Sequence, residues 1–114
     1  MKNSHTQKLI QVLRKAAIDQ QVPLYKRVAE DLDKPARQRR IVNIFAIDAN
    51  SNEGEIVLVP GKVLGEGELT KKVTVVAFSV SDEARAKISK SGQYIPLLDF
   101  VKKNPKPQKV RLLG

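Results

Sequence analysis

Apolar residues first recur along the chain at helical spacing. Leu9, Ile10, Val12, Leu13, Ala16 and Ala17 fall on one side of a 3.6-residue repeat, with Lys8, Gln11, Arg14 and Lys15 on the other. Ser4 and Gln7 fit a capping box ahead of this stripe, so the pattern predicts an amphipathic helix with a basic outer face. Gln20-Gln21-Val22-Pro23 breaks the repeat. Pro23 suits the first turn of a second helix, striped by Leu24, Val28, Ala29 and Leu32 and ending before Pro35. Beyond the basic run 34–40, Ile41–Ile47 reads as a brief strand turning into a helix near Asn43, followed by a polar turn from Asp48 to Gly54.

The period then changes. Ile56–Val59 and Val73–Val80 are β-branched runs that predict two strands, and the near-continuous apolar character of the second predicts burial on both faces. Pro60, Gly61, Gly65 and Gly67 lie between them, which predicts a shaped loop from Val59 to Gly67. Its glycines can take φ > 0 or let the backbone approach another surface closely. Ser81 is expected to cap a helix through Ala84 and Ile88, with Asp82 and Glu83 at its positive end and Gly92 at its C-cap. A short strand at Gln93–Ile95, a helix opening at Pro96 with Leu97, Leu98, Phe100 and Val101, and a last strand at Lys109–Leu113 complete the pattern. The alternation from residue 41 onward predicts α/β layers. Residues 1–40 are expected as a basic helical arm and linker on that core, the 114 residues making one domain.

Charge sharpens this picture. The chain has 21 Lys and Arg against 12 Asp and Glu, a formal net charge of +9. The excess is segregated: +6 in residues 1–40, −4 in 41–70, +2 in 71–100 and +5 in 101–114. An acidic middle between basic ends points to a basic surface drawn from both termini, with a polyanion as partner ahead of anionic lipid. Lys34, Arg37, Arg39 and Arg40 stand out, since a guanidinium fork suits bidentate phosphate contact.

The composition also excludes chemistry. The absence of Cys leaves no disulfide or thiolate metal site. No apolar run approaches the ~18 residues of a membrane span, and Met1–His5 lacks the apolar core of a signal peptide, so the cytosol is the default location. The one histidine, His5, stands ahead of the first helix without a carboxylate near it and reads as solvated. No nucleophile–base set can be assembled, so an enzyme is not expected. Glu66 and Glu68 flank Gly67 in the manner of a weak Mg²⁺ site, but loop charge explains them. Five aromatics, mostly on predicted core faces, give no platform for stacking bases, which favours backbone and shape contacts.

Val57-Leu58-Val59-Pro60-Gly61-Lys62-Val63-Leu64-Gly65-x-Gly67-x-Leu69, followed by Val73-Thr74-Val75-x-Ala77-Phe78, resembles the signature of the eighteen-e family of large-subunit ribosomal proteins. That family is archaeal and eukaryotic and is related to the core of the bacterial protein numbered fifteen. Val42-Asn43-Ile44, Ser81-x-x-Ala84-x-x-Lys87-Ile88, Gly92 and Val110-Arg111-Leu112 extend the resemblance over nearly the whole chain, and the short length suits the archaeal form. Ala46 and Gln93 depart from the pattern. The resemblance implies irregular β-β-α turns around a mixed sheet, no enzymatic activity and no cofactor, metal or small-molecule substrate. It implies binding to large-subunit ribosomal RNA beside neighbouring ribosomal proteins in the cytoplasm. The candidate RNA-binding residues are Lys8, Arg14, Lys15, Lys34, Arg37, Arg39, Arg40, Asn43, Gly61, Lys62, Gly65, Lys71 and Lys72. A free RNA- or DNA-binding regulator on the same scaffold is the alternative.

Overall fold

The computed structural model describes every residue except 1–3, 36–39, 105, 108 and 114. The elements follow the predicted order: α1 (Ser4–Asp19), α2 (Pro23–Asp33), β1 (Ile41–Asn43), α3 (Ile44–Asn50), β2 (Ile56–Leu64), β3 (Thr74–Val80), α4 (Asp82–Ser91), β4 (Gln93–Pro96), α5 (Leu97–Lys103) and β5 (Val110–Leu112). Local chemistry sets several boundaries. Pro23 occupies the first turn of α2. Ser81 accepts a hydrogen bond from the Ala84 amide, and Gly92 closes α4 with its own amide on the Ile88 carbonyl.

β2 is the spine of the sheet. β3 pairs along one side of it, and β4 pairs beyond β3. On its other side β5 pairs with Ile56–Leu58 and β1 with Lys62–Leu64, so these two three-residue strands lie end to end. Every described pairing is parallel, which corrects the mixed sheet expected from the resemblance. The reason lies in the connections. α3, α4 and α5 carry the chain back along the sheet, and so does the stretch 65–73 between β2 and β3. Nine extended residues reach about 30 Å, enough to retrace a nine-residue strand without a helix.

The predicted loop from Val59 to Gly67 also needs correction, because strand β2 continues through Pro60 and Gly61 to Leu64. The register with β3 slips between Val59 and Lys62, where three steps on β2 oppose two on β3. One extra residue on a strand is a bulge, and a bulge accommodates a proline that cannot donate to the ladder.

Both faces of the sheet are covered. Leu58 and Val76 pack beneath Leu9, Leu13, Val28, Ala29 and Leu32 of the N-terminal helices and Phe100 of α5. The predicted stripes therefore dock the helical arm onto the sheet; its largest buried side chain is Tyr25, whose hydroxyl donates to the Asn104 carbonyl. Val57, Val59, Val63, Val75 and Ala77 meet Ile44 and Ile47 of α3, Ala84 and Ile88 of α4, and Leu69 and Val73 of the connection.

Candidate nucleic-acid interface

The sheet topology brings the two basic ends of the chain to one edge. β1 follows the 34–40 run and β5 follows the basic tail, and both line the same side of β2. At their junction the Lys62 amide donates to the Arg40 carbonyl at 3.0 Å, and the Leu113 amide donates to the Leu58 carbonyl at 3.0 Å. Gly61 makes the junction possible by close approach: a Cβ there would lie 2.0 Å from the Arg40 carbonyl oxygen. The left-handed conformation allowed for above belongs to Gly67 (φ 101°) and Gly54 (φ 87°), and neither Gly61 nor Gly65 adopts it. A Cβ on Gly65 would meet the Glu83 side chain.

The candidate cations fall into three groups. Arg14 and Lys34 are exposed but ion-paired, to Asp33 and Asp31, each at 3.1 Å. Lys71 turns inward. Its ammonium donates to the Asp48 and Ser51 carbonyls at 2.6 and 2.8 Å, closing the C-terminal end of α3. Lys8, Lys15, Arg40, Lys62 and Lys72 are exposed and hold no ion pair among the described residues. Arg37 and Arg39 lie outside the described residues. Gly61 and Gly65 are buried, and Asn43 is half-buried at the N-cap of α3 without a side-chain cap bond.

Lys87, absent from the candidates, organises the nearby connection. Its ammonium donates to the Gly65 and Gly67 carbonyls at 2.7 and 2.6 Å, with Glu83 and Glu68 at 3.4 and 3.6 Å. The spacing of Lys87 four residues after Glu83 on a helix was a readable signal for the ion pair, though not for the carbonyls. On the same connection Asp48 accepts from the Thr70 amide and hydroxyl, which holds its carboxyl below the ordinary aspartate range. Arg111 forms a bidentate pair with Glu55, both bonds 3.1 Å, which lowers the Glu55 pKa and raises that of Arg111. Sequence reasoning also missed Ile18, Ile41 and Phe45, large apolar side chains that are 77, 64 and 52% exposed. Among the described residues no group of three or more His, Cys, Asp or Glu could hold a metal ion, and no helix is long and apolar enough to cross a membrane.

Residues 29–94 match the model of a ribosomal-protein family that unites the 50S proteins L15 and L18e with a 60S counterpart. The chain belongs to this family. A protein of Methanococcus maripaludis named large ribosomal subunit protein eL18 is 39% identical over 113 residues, covering 98% of this chain and 94% of the relative. Proteins of the same name from Methanothermobacter thermautotrophicus and Sulfurisphaera tokodaii are 42% identical over 112 residues and 51% over 90. The first of these alignments covers 97% of this chain and 93% of the relative, the second 79% and 73%. The part matching the L15/L18e family model runs from the second half of α2 through the first half of strand β4. It therefore contains the bulged β2, the 65–73 connection and Lys87, whereas α1 and β5 lie outside it.

Proposed function

We propose that this L18e-type chain is a structural constituent of the large ribosomal subunit that binds ribosomal RNA through its basic surface. The carrying observation is similarity over nearly the full chain to proteins named for the large subunit. The fold supports the RNA part of the reading. β1 and β5 place two basic segments on one sheet edge, where Arg40 and Lys62 stand without carboxylate partners among the described residues. Phosphate contact needs such unpaired, positioned cations, and Lys8, Lys15 and Lys72 add further exposed cations without ion pairs among the described residues, with Arg37 and Arg39 adding charge in the sequence just before Arg40. The whole chain acts as one unit on ribosomes in the cytoplasm, with neighbouring ribosomal proteins at its remaining surface and no catalytic step.

Sedimentation tests this. An epitope-tagged chain expressed in an archaeal host should migrate with large subunits on a sucrose gradient and leave them only when salt is raised. A chain found mainly at the top of the gradient, away from large subunits, would overturn the reading in favour of a free regulator.

A further inference from the structure

The sheet face that bears α1, α2 and α5 is open at one end. Val42 and Val63 are register partners whose side chains enter the core on the opposite face. Side chains alternate along a strand, so their neighbours Ile41 and Lys62, also partners, stand together on the helix-bearing face. There α1, α2 and α5 cover Leu58 and Val76, but Ile41 is 64% exposed and Lys62 is exposed. Two residues on, Asn43 pairs with Leu64, and Ser79 of β3 pairs with Lys62. None of these residues in register on the open face is a carboxylate. The Asn43 amide is not used to cap α3, and Arg40 and Lys62 hold no ion pair among the described residues.

We infer that this patch is a platform for the sugar–phosphate face of an RNA helix, seated on its minor-groove side. The charge selects the occupant, because Lys62, an unpaired cation with no opposed carboxylate in register, attracts a polyanion, and Arg40 adds a second exposed cation at the sheet edge just before Ile41. The uncharged part selects the kind of polyanion. The wide, shallow minor groove of A-form RNA presents 2′-hydroxyls beside phosphates. An amide and a hydroxyl can exchange hydrogen bonds with 2′-hydroxyls, an exposed isoleucine can pack on ribose, and the Lys62 ammonium can meet a phosphate. Gly61 sets the geometry by letting Arg40 lie against β2. The inference rests on the ribosomal RNA reading above and names the surface that carries it.

The test uses the 114-residue chain and transcribed large-subunit ribosomal RNA, from which the shortest protected fragment is taken. Ile41→Glu should weaken binding of that fragment at least about tenfold, and Asn43→Leu by about three- to tenfold with the salt slope unchanged. Ile18→Glu, at a more exposed site in the last turn of α1, should bind like the parent. Melting curves confirm that each variant is folded, and Lys62→Gln, a change at an exposed position, serves as a second platform variant. A DNA copy of the fragment should bind at least about tenfold more weakly, since it lacks the 2′-hydroxyl. Parental affinity in folded Ile41→Glu and Lys62→Gln would overturn the platform while leaving the ribosomal reading intact. Equal losses from Ile18→Glu and Ile41→Glu, or equal affinity for the DNA copy, would overturn it as well. A parent chain that binds no large-subunit RNA would overturn both.

Discussion

At the scale of single residues, the decisive positions are those whose side chain, or lack of one, meets the backbone of another element. Gly61 faces the Arg40 carbonyl, a backbone atom that cannot rotate away. Gly61→Ala should therefore destabilise by about 2–3 kcal/mol in urea unfolding, as overpacking does. Gly65 differs in that its obstacle is the stem of a side chain, the Glu83 Cγ at 2.6 Å and Cβ at 2.8 Å, of which only the Cγ can rotate away. Gly65→Ala should cost about 1–2 kcal/mol, less than Gly61→Ala because part of its obstacle can rotate, and a ranking reversed between the two would show that the junction tolerates crowding better than the connection. Asp48 gives a pH-dependent counterpart. Its folded pKa is lowered by the Thr70 amide and hydroxyl, so the stabilisation is complete above the ordinary aspartate value of about 3.9 and is lost as pH falls through the lower folded value. Thr70→Val removes the hydroxyl part of this. Its melting temperature should fall below the parent's at neutral pH, and the gap should close in strong acid. A gap that widened toward acid would contradict the linkage.

At the scale of elements, the unusual member is the connection 65–73, which does the work of a crossover helix without the hydrogen bonds of one. A helix satisfies its own carbonyls; this stretch relies on other elements, chiefly side chains sent from α4 and α3, with the Phe45 and Gly54 amides donating to the Glu66 and Lys72 carbonyls. Lys87 binds the Gly65 and Gly67 carbonyls, Ser91 donates to the Leu69 carbonyl at 2.8 Å, and Asp48 holds Thr70. Lys87→Met keeps the aliphatic stem but strips two carbonyls of their donor, a loss of about 1–3 kcal/mol. Amide exchange in residues 66–70 should quicken more than in β2 or β3, and uniform exchange across all three would refute a local clamp. The expectation that the run Val73–Val80 is buried on both faces along its whole length also changes here. Val59, Val75, Val76 and Ile88 are buried as expected, but Phe78 is half-buried, so Leu58→Ala is the better core probe, with a cost of about 2–5 kcal/mol. Periodicity made α1, α2 and the two central strands legible because each buries a continuous stripe. It could not show that Pro60-Gly61 sits inside a strand, since a bulge replaces the period instead of continuing it. Nor could it show a crossover made of loop, because the partners of Lys71 and Lys87 are carbonyls, and a carbonyl leaves no mark on residue type.

At the scale of the whole molecule, the formal charge of +9 separates into cations that hold the fold and cations that face outward. Composition showed the excess and its segregation to both ends; it could not show that β1 and β5 abut on one strand, because that depends on pairings far apart in sequence. The same topology weakens any contrast between a linker site and a tail site, since both feed one edge. The useful contrast is between inward and outward lysines. Lys71 and Lys87 donate to backbone carbonyls, whereas Arg40 and Lys62 are exposed without ion-pair partners among the described residues. Each outward cation that meets a phosphate releases counterion, so its loss should flatten the plot of log affinity against log salt by about 0.7–0.9. Arg40→Gln with Lys62→Gln should thus lower the slope by roughly 1.5, with melting nearly unchanged because exposed charges contribute little to stability. Lys71→Met should do the reverse, lowering the melting temperature by leaving two carbonyls without their donor, while the RNA salt slope of the folded fraction stays at the parent's value. Both quantities are measured on the same two variants with the same large-subunit RNA fragment. If Lys71→Met flattened the slope as much as the outward pair, its ammonium would have to leave Asp48 and Ser51 on binding, and the division of the charge into two populations would fail.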